Sequence, residues 1–415
     1  MAAPEPGVLL LGSDFKALGV ARSLGRRGVR VAVIDNLPRS AWFSRHVSRR
    51  FRWRESMGSP ELPSFLLDVA GSAGMEGFVL WPVQDDALEI VARNRDRLVS
   101  TFRLITPAWD ALEQAHDKRR LHGAADEIGV PHPRTWYPAD ERSLDALDVA
   151  FPAIVKPAVS VDMQHAIGRK ALPVRDKDEL VQSYRTAAAI MPADHIMVQE
   201  IVSGGDQYSV GAFAEAGQVV GAMTARRTRQ YPIDYGLSSS FVEAVEVPGL
   251  MEPAQRIVCR LGISGMVEVE FIRDPRDGRH LLLDVNPRPW GWHTLCMACG
   301  LDFPHMQYER SMGRQAVCGR PRYGPRWIRM LTDVPAGIQG VRAGLFSPGS
   351  YLRSLFSGEM VGSVCDVTDP VPAAGDLAVA ITRLAKAALP NRRRQPRARP
   401  AGPAARETSP PPPGC

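Results

Sequence analysis

Two short segments of the C-terminal half, MVEVEFIRD and HLLLDVNPR, combine strand-forming residues with acidic and amide side chains. The PRDG stretch that joins them is a hairpin signal. Because side chains alternate along a β-strand, Glu268 and Glu270 face the same side of the first strand. Folding the hairpin about Asp277 places Glu270 opposite Asp284, on the surface that also carries Asn286. The pattern therefore predicts a cluster of oxygen ligands on one face of a hairpin.

Such a cluster needs positive charge nearby. Like charges on directly paired strand residues lie about 5 Å apart and are destabilising. Carboxylate and amide oxygens are the ligands that Mg²⁺ takes, with water and substrate phosphates completing its shell. Arg288 projects to the same side as Asn286 and is suited to hold a phosphate or a developing anion. The pattern indicates a magnesium and phosphate site, although a solvated acidic face has the same spacing.

The elements that would position this hairpin begin with an α/β unit. VLLLG reads as a buried strand, a helix follows it through Arg27, and VRVAVID forms a second strand ending at Asp35. GFVLWPV, an amphipathic helix and FRLITP continue the alternation. Alternation of this kind gives a parallel sheet with right-handed crossovers. We expect a Rossmann-like domain over residues 1–110.

Beyond residue 110, the sequence no longer follows the strand–helix alternation of the N-terminal unit. A helix begins near Asp117, FPAIVKP is an apolar strand, and residues 195–248 alternate with period two as antiparallel strands do. This sequence pattern predicts four more regions. They are a first lobe over residues 111–203, a second lobe with the metal site over 204–320, an extension of uncertain fold over 321–385 and a basic, Pro/Arg-rich disordered tail over 386–415.

Composition limits the function classes. The net charge of +6 comes from the tail, which contains seven basic residues and one acidic residue. The rest of the chain therefore has no net charge. This distribution argues against a specific nucleic-acid interface on the folded body. Apolar runs are too short to span a bilayer, and the first residues lack the features of a secretory signal, so we expect a cytoplasmic protein. Six cysteines are too sparse for a disulfide framework.

The order of residues in the acidic hairpin is similar to that of a known protein family. Glu270-Phe271, followed by Asp284-x-Asn286-x-Arg288, resembles the metal-binding end of the ATP-grasp superfamily. Two upstream lysines, Lys118 and Lys156, and the hinge-like segment IMVQEIVSGGDQYSVGAF occur in the order that the family shows. The resemblance covers residues 7–315 and is to the carboxylate–amine ligase type, which includes biotin carboxylase and D-alanine–D-alanine ligase.

The resemblance implies an ATP-grasp fold, the cofactors ATP and Mg²⁺ (or Mn²⁺), and a role for each matching residue. The ATP-binding residues would be Lys118 and Lys156 at the phosphates, Gln199, Glu200, Ile201 and Val202 at the adenine, and Asp206 at the ribose. Metal ligands would be Glu270, Asp284 and Asn286, and the catalytic cations would be Arg288 and Lys156. One departure from the family pattern concerns the loop that closes over the phosphates, which is usually rich in glycine. Here it has a single glycine, so the lid would be built with Ser160, His165 or Arg169 instead.

The reaction implied by the resemblance joins a carboxylate, such as an amino acid or another small acid, to an amine through an acyl phosphate. Arg226 and Arg229, in TARRTRQYPIDYG, are suited to grip the carboxylate substrate, although an exposed polar strand fits them equally well. A homodimer is compatible with this reading. The partners are then small molecules, without a membrane span or specific nucleic acid.

Three alternatives remain open at this level. The first is an NAD(P)-dependent oxidoreductase using the N-terminal domain, which has only Gly12 and Gly19 where a G-x-G-x-x-G motif is needed. The second is an ATP-grasp kinase that releases its phosphorylated product. The third is a nucleic-acid-binding protein that acts through the basic tail.

Overall fold

The structure is a computed structural model that describes residues 5–159, 167, 171–233, 238–315 and 318–388. The candidate lid residues Ser160, His165 and Arg169 lie outside the described residues. The final helix continues to Ala388, so the first three residues of the predicted tail are helical. The remainder of that predicted tail, residues 389–415, also lies outside the described part of the chain.

The N-terminal unit is a five-stranded sheet with helices between its strands. All four strand pairings are parallel, in the order β3-β2-β1-β4-β5. The strands are β1 (Val8–Leu11), β2 (Val31–Asp35), β3 (Val47–Arg52), β4 (Val79–Pro82) and β5 (Arg103–Leu104). The helices are α1 (Phe15–Gly25), α2 (Leu62–Ala73), α3 (Asp85–Arg93), α4 (Arg95–Leu98) and α5 (Trp109–His116). The predicted parallel sheet is confirmed, and its β1–α1 and β4–α3 turns lie at the carboxyl ends of the strands.

A four-stranded antiparallel sheet follows, in the order β6-β9-β7-β8. Its elements are α6 (Lys118–Glu127), β6 (Thr135–Trp136), β7 (Ala153–Pro157), β8 (Leu172–Val174), α7 (Lys177–Ala188) and β9 (Ile196–Glu200). Period-two alternation sorts the side chains of β7. Ala153 and Val155 are buried in the core beneath the sheet, whereas Ile154 and Lys156 lie on the opposite, cavity-facing side.

The largest sheet has seven strands in the order β14-β13-β10-β11-β12-β15-β16. Its first five strands are β10 (Gln207–Glu215), β11 (Gln218–Tyr231), β12 (Ser238–Ala244), β13 (Gly265–Arg273) and β14 (His280–Asn286). The helices α8 (Met251–Leu261), α9 (His293–Ala298) and α10 (Phe303–Ser311) accompany them. The apolar face of the β13–β14 hairpin packs on α8, while its other face carries the acidic residues.

Residues 321–385, whose fold the sequence left uncertain, complete this sheet. They contain β15 (Arg326–Ile328), α11 (Met330–Arg342), α12 (Pro348–Leu355), β16 (Met360–Gly362) and most of α13 (Val371–Ala388). Strand β15 pairs with β12 through the buried Trp327. Asp369 then ties the segment to the N-terminal unit, because its carboxylate accepts hydrogen bonds from Arg22 at 3.0 Å and from Ser44 at 2.7 Å. None of the helices in the described residues has the length and apolar character needed to cross a membrane.

Candidate active site

One cavity of about 1000 Å³ lies where the three sheets meet. It brings together most of the residues that the sequence singled out. Those that line it are Lys118, Lys156, Gln199, Glu200, Ile201, Val202, Glu270, Asp284, Asn286 and Arg288. Ten side chains drawn from five separate elements and the segments beside them therefore share one space that is large enough for a nucleotide and a second small molecule.

The acidic hairpin has the predicted register around its charged residues. Glu270 pairs directly with Asp284, and Glu268 pairs with Asn286. A β-bulge follows Glu270, so Phe271 pairs with Leu282. Strict alternation along β14 would place Leu282 beside the acids, but the extra residue in the bulged strand turns Leu282 into the core. The bulge changes the apolar positions and leaves the acidic pair as expected.

Basic side chains from other elements neutralise the paired acids. The Lys118 ammonium, at the start of α6, contacts the Asp284 carboxylate. Arg227 of β11 donates to Glu270 Oε2 at 2.7 Å, and Asn286 Nδ2 donates to Glu270 Oε1 at 3.0 Å. Two carboxylates and an amide oxygen suit a hard divalent cation, which completes its shell with water and phosphate. The donor set therefore fits Mg²⁺, with Lys118 and Arg227 balancing the same charges from the protein side.

Arg288 joins the hairpin to the N-terminal unit. Its guanidinium forms a two-pronged pair with Asp85, the first residue of α3, in which Nη2 lies 2.8 Å from Oδ2. Nη2 also donates to Asn286 Oδ1 at 3.2 Å. Burial by itself would lower the pKa of Arg288, but the Asp85 carboxylate outweighs burial and raises it. The charged guanidinium is thus held in a fixed orientation beside the metal ligands.

Glu268 is buried next to the acidic pair. Burial, followed by repulsion from Glu270, raises the pKa of Glu268 to about 8. Trp292 Nε1 donates to Glu268 Oε1 at 2.7 Å. The Glu268 carboxyl therefore remains largely protonated at neutral pH, which reduces the negative charge on this wall of the cavity.

The hinge segment is held by a short polar chain. Lys156 Nζ donates to Gln199 Oε1 at 2.8 Å, and Gln199 Nε2 donates to Thr135 Oγ1 at 2.9 Å. Glu200 is buried and accepts a hydrogen bond from the Arg134 backbone N–H at 3.1 Å. These contacts hold the end of β9 in place, and the residues of this segment line the cavity.

Three predicted residues lie outside the cavity. Asp206 precedes β10 and interacts with Tyr208 and with the backbone of Arg273 instead. Arg226 points to the opposite side of β11 and pairs with Glu243. Arg229 follows an irregularity in the β11–β12 pairing and binds the buried Asp333 at 2.8 and 2.9 Å. Strand alternation and this local shift in register explain why Arg226 and Arg229 both miss the cavity.

Other residues line the cavity without having been predicted to do so. Gln207 lines the cavity although its neighbour Asp206 does not, and Arg227 is the arginine of its segment that pairs with Glu270. Lys16 and His116 come from the N-terminal unit. Arg227 was one of three arginines in the quoted segment, and only the cross-strand register distinguishes it from its neighbours. Lys16 and His116 carry no sequence signal beyond their positions after β1 and at the end of α5.

A family model described as "ATP-grasp in the biosynthetic pathway with Ter operon" matches residues 192–329. This range runs from just before β9 through the acidic hairpin to β15, and so contains the hinge and the metal-ligand candidates.

Curated relatives and solved structures are similar over larger parts of the chain. The large chain of carbamoyl phosphate synthase from Myxococcus xanthus is 24% identical over 291 residues, which cover 66% of this chain and 26% of the relative. The C-terminal section of that enzyme's large chain from Methanopyrus kandleri is 24% identical over 188 residues, covering 43% of this chain and 34% of the relative. The chain thus spans about a third or less of the length of these relatives.

Two solved structures show the same fold. The biotin carboxylase domain of Hydrogenobacter thermophilus 2-oxoglutarate carboxylase, a dimer in complex with MgADP, ADP and bicarbonate, has a TM-score of 0.63 at 17% identity. The alignment covers 78% of this chain and 74% of that one. The L-amino acid ligase from Bacillus licheniformis has a TM-score of 0.57 at 14% identity, with 75% of each chain covered.

Proposed function

We propose that the chain belongs to the ATP-grasp superfamily and is an ATP-dependent ligase that joins a small carboxylic acid, such as an amino acid, to an amine. The observation that carries the proposal is the direct pairing of Glu270 with Asp284 inside a cavity that also holds Lys118, Lys156 and Arg288. The arrangement combines metal ligands with cations for phosphate, as phosphoryl transfer requires.

In this proposal, ATP lies along the cavity from the hinge to the hairpin. The backbone of residues 199–202 receives the adenine, and Gln207, which lines the cavity where Asp206 does not, contacts the ribose. Lys156 and Lys118 contact the phosphates. In the structure, Lys118 contacts the Asp284 carboxylate. A nucleotide phosphate, which carries more negative charge, would offer Lys118 an alternative partner.

Glu270, Asp284 and Asn286 would hold Mg²⁺, which when bound neutralises phosphate charge as the transfer proceeds. The protein residues keep this site ready. Arg227 and Lys118 prevent repulsion between the two carboxylates before the metal and nucleotide arrive.

The reaction proceeds in two steps. An oxygen of the substrate carboxylate attacks the γ-phosphorus, the bond to the β-phosphate oxygen breaks, and ADP leaves. The nitrogen of the amine then attacks the acyl carbon, releasing phosphate and a proton. Arg288 and Lys156 stabilise the negative charge that develops in each step, because both are positioned in advance by Asp85 and Gln199.

The neighbouring structures support the classes of ligand in this proposal. One was solved with MgADP and bicarbonate, and another is named as an L-amino acid ligase. A cytoplasmic location, expected from the sequence, and a homodimer, compatible with it, stay predictions.

The test is a substrate screen. Amino acids and small carboxylic acids are incubated with MgATP and amines, while ADP and phosphate release are measured. Hydroxylamine is added in parallel, since it captures acyl phosphates as hydroxamates. A ligase forms ADP only with the correct acid and yields an amide. Release of a stable phosphorylated product would instead indicate a kinase.

A binding measurement distinguishes the oxidoreductase alternative. MgATP raises Tm if the cavity is a nucleotide site, because a ligand stabilises the folded state to which it binds. A comparable rise with NAD(P), and none with MgATP, would contradict the proposal.

A further inference from the structure

The basic side chains that line the cavity differ in how completely they are neutralised. There are five among the described residues, and four have a close partner. Lys118 contacts Asp284, Lys156 donates to Gln199, Arg227 donates to Glu270, and Arg288 forms two bonds with Asp85. The fifth, Lys16, lies 3.5 Å from Asp14, the only ion-pair partner that the described residues give it. Lys16 is therefore the cation most able to accept a new anionic partner.

The surroundings of Lys16 strengthen this conclusion. Lys16 is the second residue of α1, and its side chain is only 14% exposed, at the end of the cavity formed by the N-terminal unit. Asp14 caps the same helix, and its Oδ1 accepts hydrogen bonds from the backbone N–H groups of Lys16 and Ala17 at 2.9 and 3.2 Å. The Asp14 carboxylate is thus shared between the helix and the ammonium. A buried ammonium with one shared partner at this distance is incompletely compensated.

Another polar group in this part of the cavity, His116, lacks a hydrogen bond at Nε2 within the described part of the chain. His116 Nε2, at the end of α5, is buried without a hydrogen bond to any described residue, and it lies 3.9 Å from Asp85 Oδ1. Burial lowers the pKa of His116, so the imidazole is neutral at physiological pH. With its proton on Nδ1, the ring offers Nε2 as an acceptor for an N–H group.

Lys16 and His116 flank the Arg288–Asp85 pair. Both interact electrostatically with Asp85 and Arg288, and His116 also interacts with Lys118 and Asp284, at the metal end. A molecule that uses both groups would place its N–H toward the phosphates and its anionic group toward α1.

From this arrangement, and resting on the proposed ligase function, we propose that the amine substrate is an α-amino acid. Lys16 binds its carboxylate, and His116 Nε2 accepts a hydrogen bond from its amino group. The carboxylate at Lys16 is not the one that reacts. It orients the acceptor so that the amino nitrogen faces the acyl phosphate.

The test compares ligands that differ by one group. Standard L-amino acids, their carboxamides and their des-amino acids are titrated against the full chain with MgADP, by Tm shift and then by calorimetry. We expect at least one amino acid to bind about tenfold or more tightly than its amide. In Lys16→Met this ratio should fall close to one. In His116→Phe the ratio of amino acid to des-amino acid affinity should fall instead.

Controls separate a loss of folding from a loss of recognition. Lys177→Met removes an exposed lysine at the start of α7, the helix that accompanies the four-stranded sheet. This variant should retain the wild-type ratio of amino acid to amide affinity. Lys16→Gln repeats the loss of charge with a polar side chain if the methionine variant is unstable.

Several results would overturn the inference. They are equal binding of acids and amides by the wild type, binding of no amino acid, or an unchanged ratio in both Lys16 variants. Failure of the proposed function looks different, because amino acids would then bind with the expected preference while no ADP forms. If the chain ligates amines that lack a carboxylate as readily as amino acids, the ligase proposal would stand. The proposal that the acceptor is an amino acid would then be wrong.

Discussion

Arg227 and Arg229 lie two residues apart on β11, and both form ion pairs with acids, but their surroundings differ. The pair of Arg227 with Glu270 lines the cavity, and these side chains are 14% and 18% exposed. The pair of Arg229 with Asp333 is closed off, with 8% and 0% exposed. Ligand access, rather than the presence of a buried ion pair, distinguishes a candidate functional charge from a structural one.

The partners of the two acids show the same difference. Asp333 receives two bonds from Arg229, one from Ser240 at 3.0 Å and one from Tyr351 at 3.2 Å. Its oxygens are saturated by protein groups, so this cluster holds α11 against the sheet. Glu270 and Asp284 are balanced by side chains that a metal ion and phosphates can replace.

The largest expected effect is the loss of activity when a charged residue of the cavity is replaced. Asp284→Asn and Lys156→Ala should each lower the rate of ADP formation by about a thousandfold or more, because each removes charge that stabilises phosphoryl transfer. Urea unfolding of both variants should stay close to that of the wild type. Normal ATP turnover by both variants would show that the site assignment is wrong.

The second prediction concerns the closed pair. Asp333→Asn leaves the buried Arg229 without its counter-ion, so the free energy of unfolding should fall by about 3–5 kcal/mol. Urea unfolding measures this loss. The KM for ATP in the folded fraction should remain that of the wild type. A variant with normal stability and a raised KM would instead connect Arg229 to the cavity.

The third prediction uses the pH dependence of stability. The raised pKa of Glu268, which burial causes, means that the folded chain keeps a proton that the unfolded chain releases. The free energy of unfolding should therefore fall as pH rises from about 4.5 to about 8. In Glu268→Gln this contribution is absent, and the advantage of the variant over the wild type in free energy of unfolding should reach about 4 kcal/mol at pH 8. Unfolding curves of the two proteins that have the same pH slope would contradict the assignment.

The smallest effect is expected from removing the basic tail. Deleting residues 391–415 should leave ATP turnover unchanged, since the cavity is formed by residues that precede α11. Filter binding to a DNA duplex at low and moderate salt provides the comparison. A salt-sensitive affinity that disappears with the tail would locate nucleic-acid binding outside the enzyme site, whereas loss of ADP formation would connect the tail to catalysis.

Local patterns were sufficient for much of the candidate site. Alternation along β13 and β14 predicted that Glu270 faces Asp284, and the structure confirms that pairing. Lys156 was expected at the end of a strand, where alternation along β7 directs it away from the core. These predictions succeeded because two-residue periodicity and hairpin turns act over short stretches of chain.

Predictions that needed contacts between distant segments were less successful. The bulge after Glu270 returned Leu282 to the core, and the irregular pairing of β11 separated Arg227 from Arg229. Asp85 gained its place only because α3 meets the hairpin, 203 residues away along the chain. Register shifts and packing between sheets are set by side chains that no single segment contains.

The sequence by itself determined the parallel N-terminal sheet, the acidic hairpin and the order of lysines, hinge and metal ligands, because these follow from local periodicity and from residue types. Only the tertiary structure decided which cations neutralise the acids, which arginine faces the cavity, and that Lys16 and His116 flank Arg288. Those choices depend on how three sheets meet, where the burial of each charge is set by atoms that are hundreds of residues away in the chain.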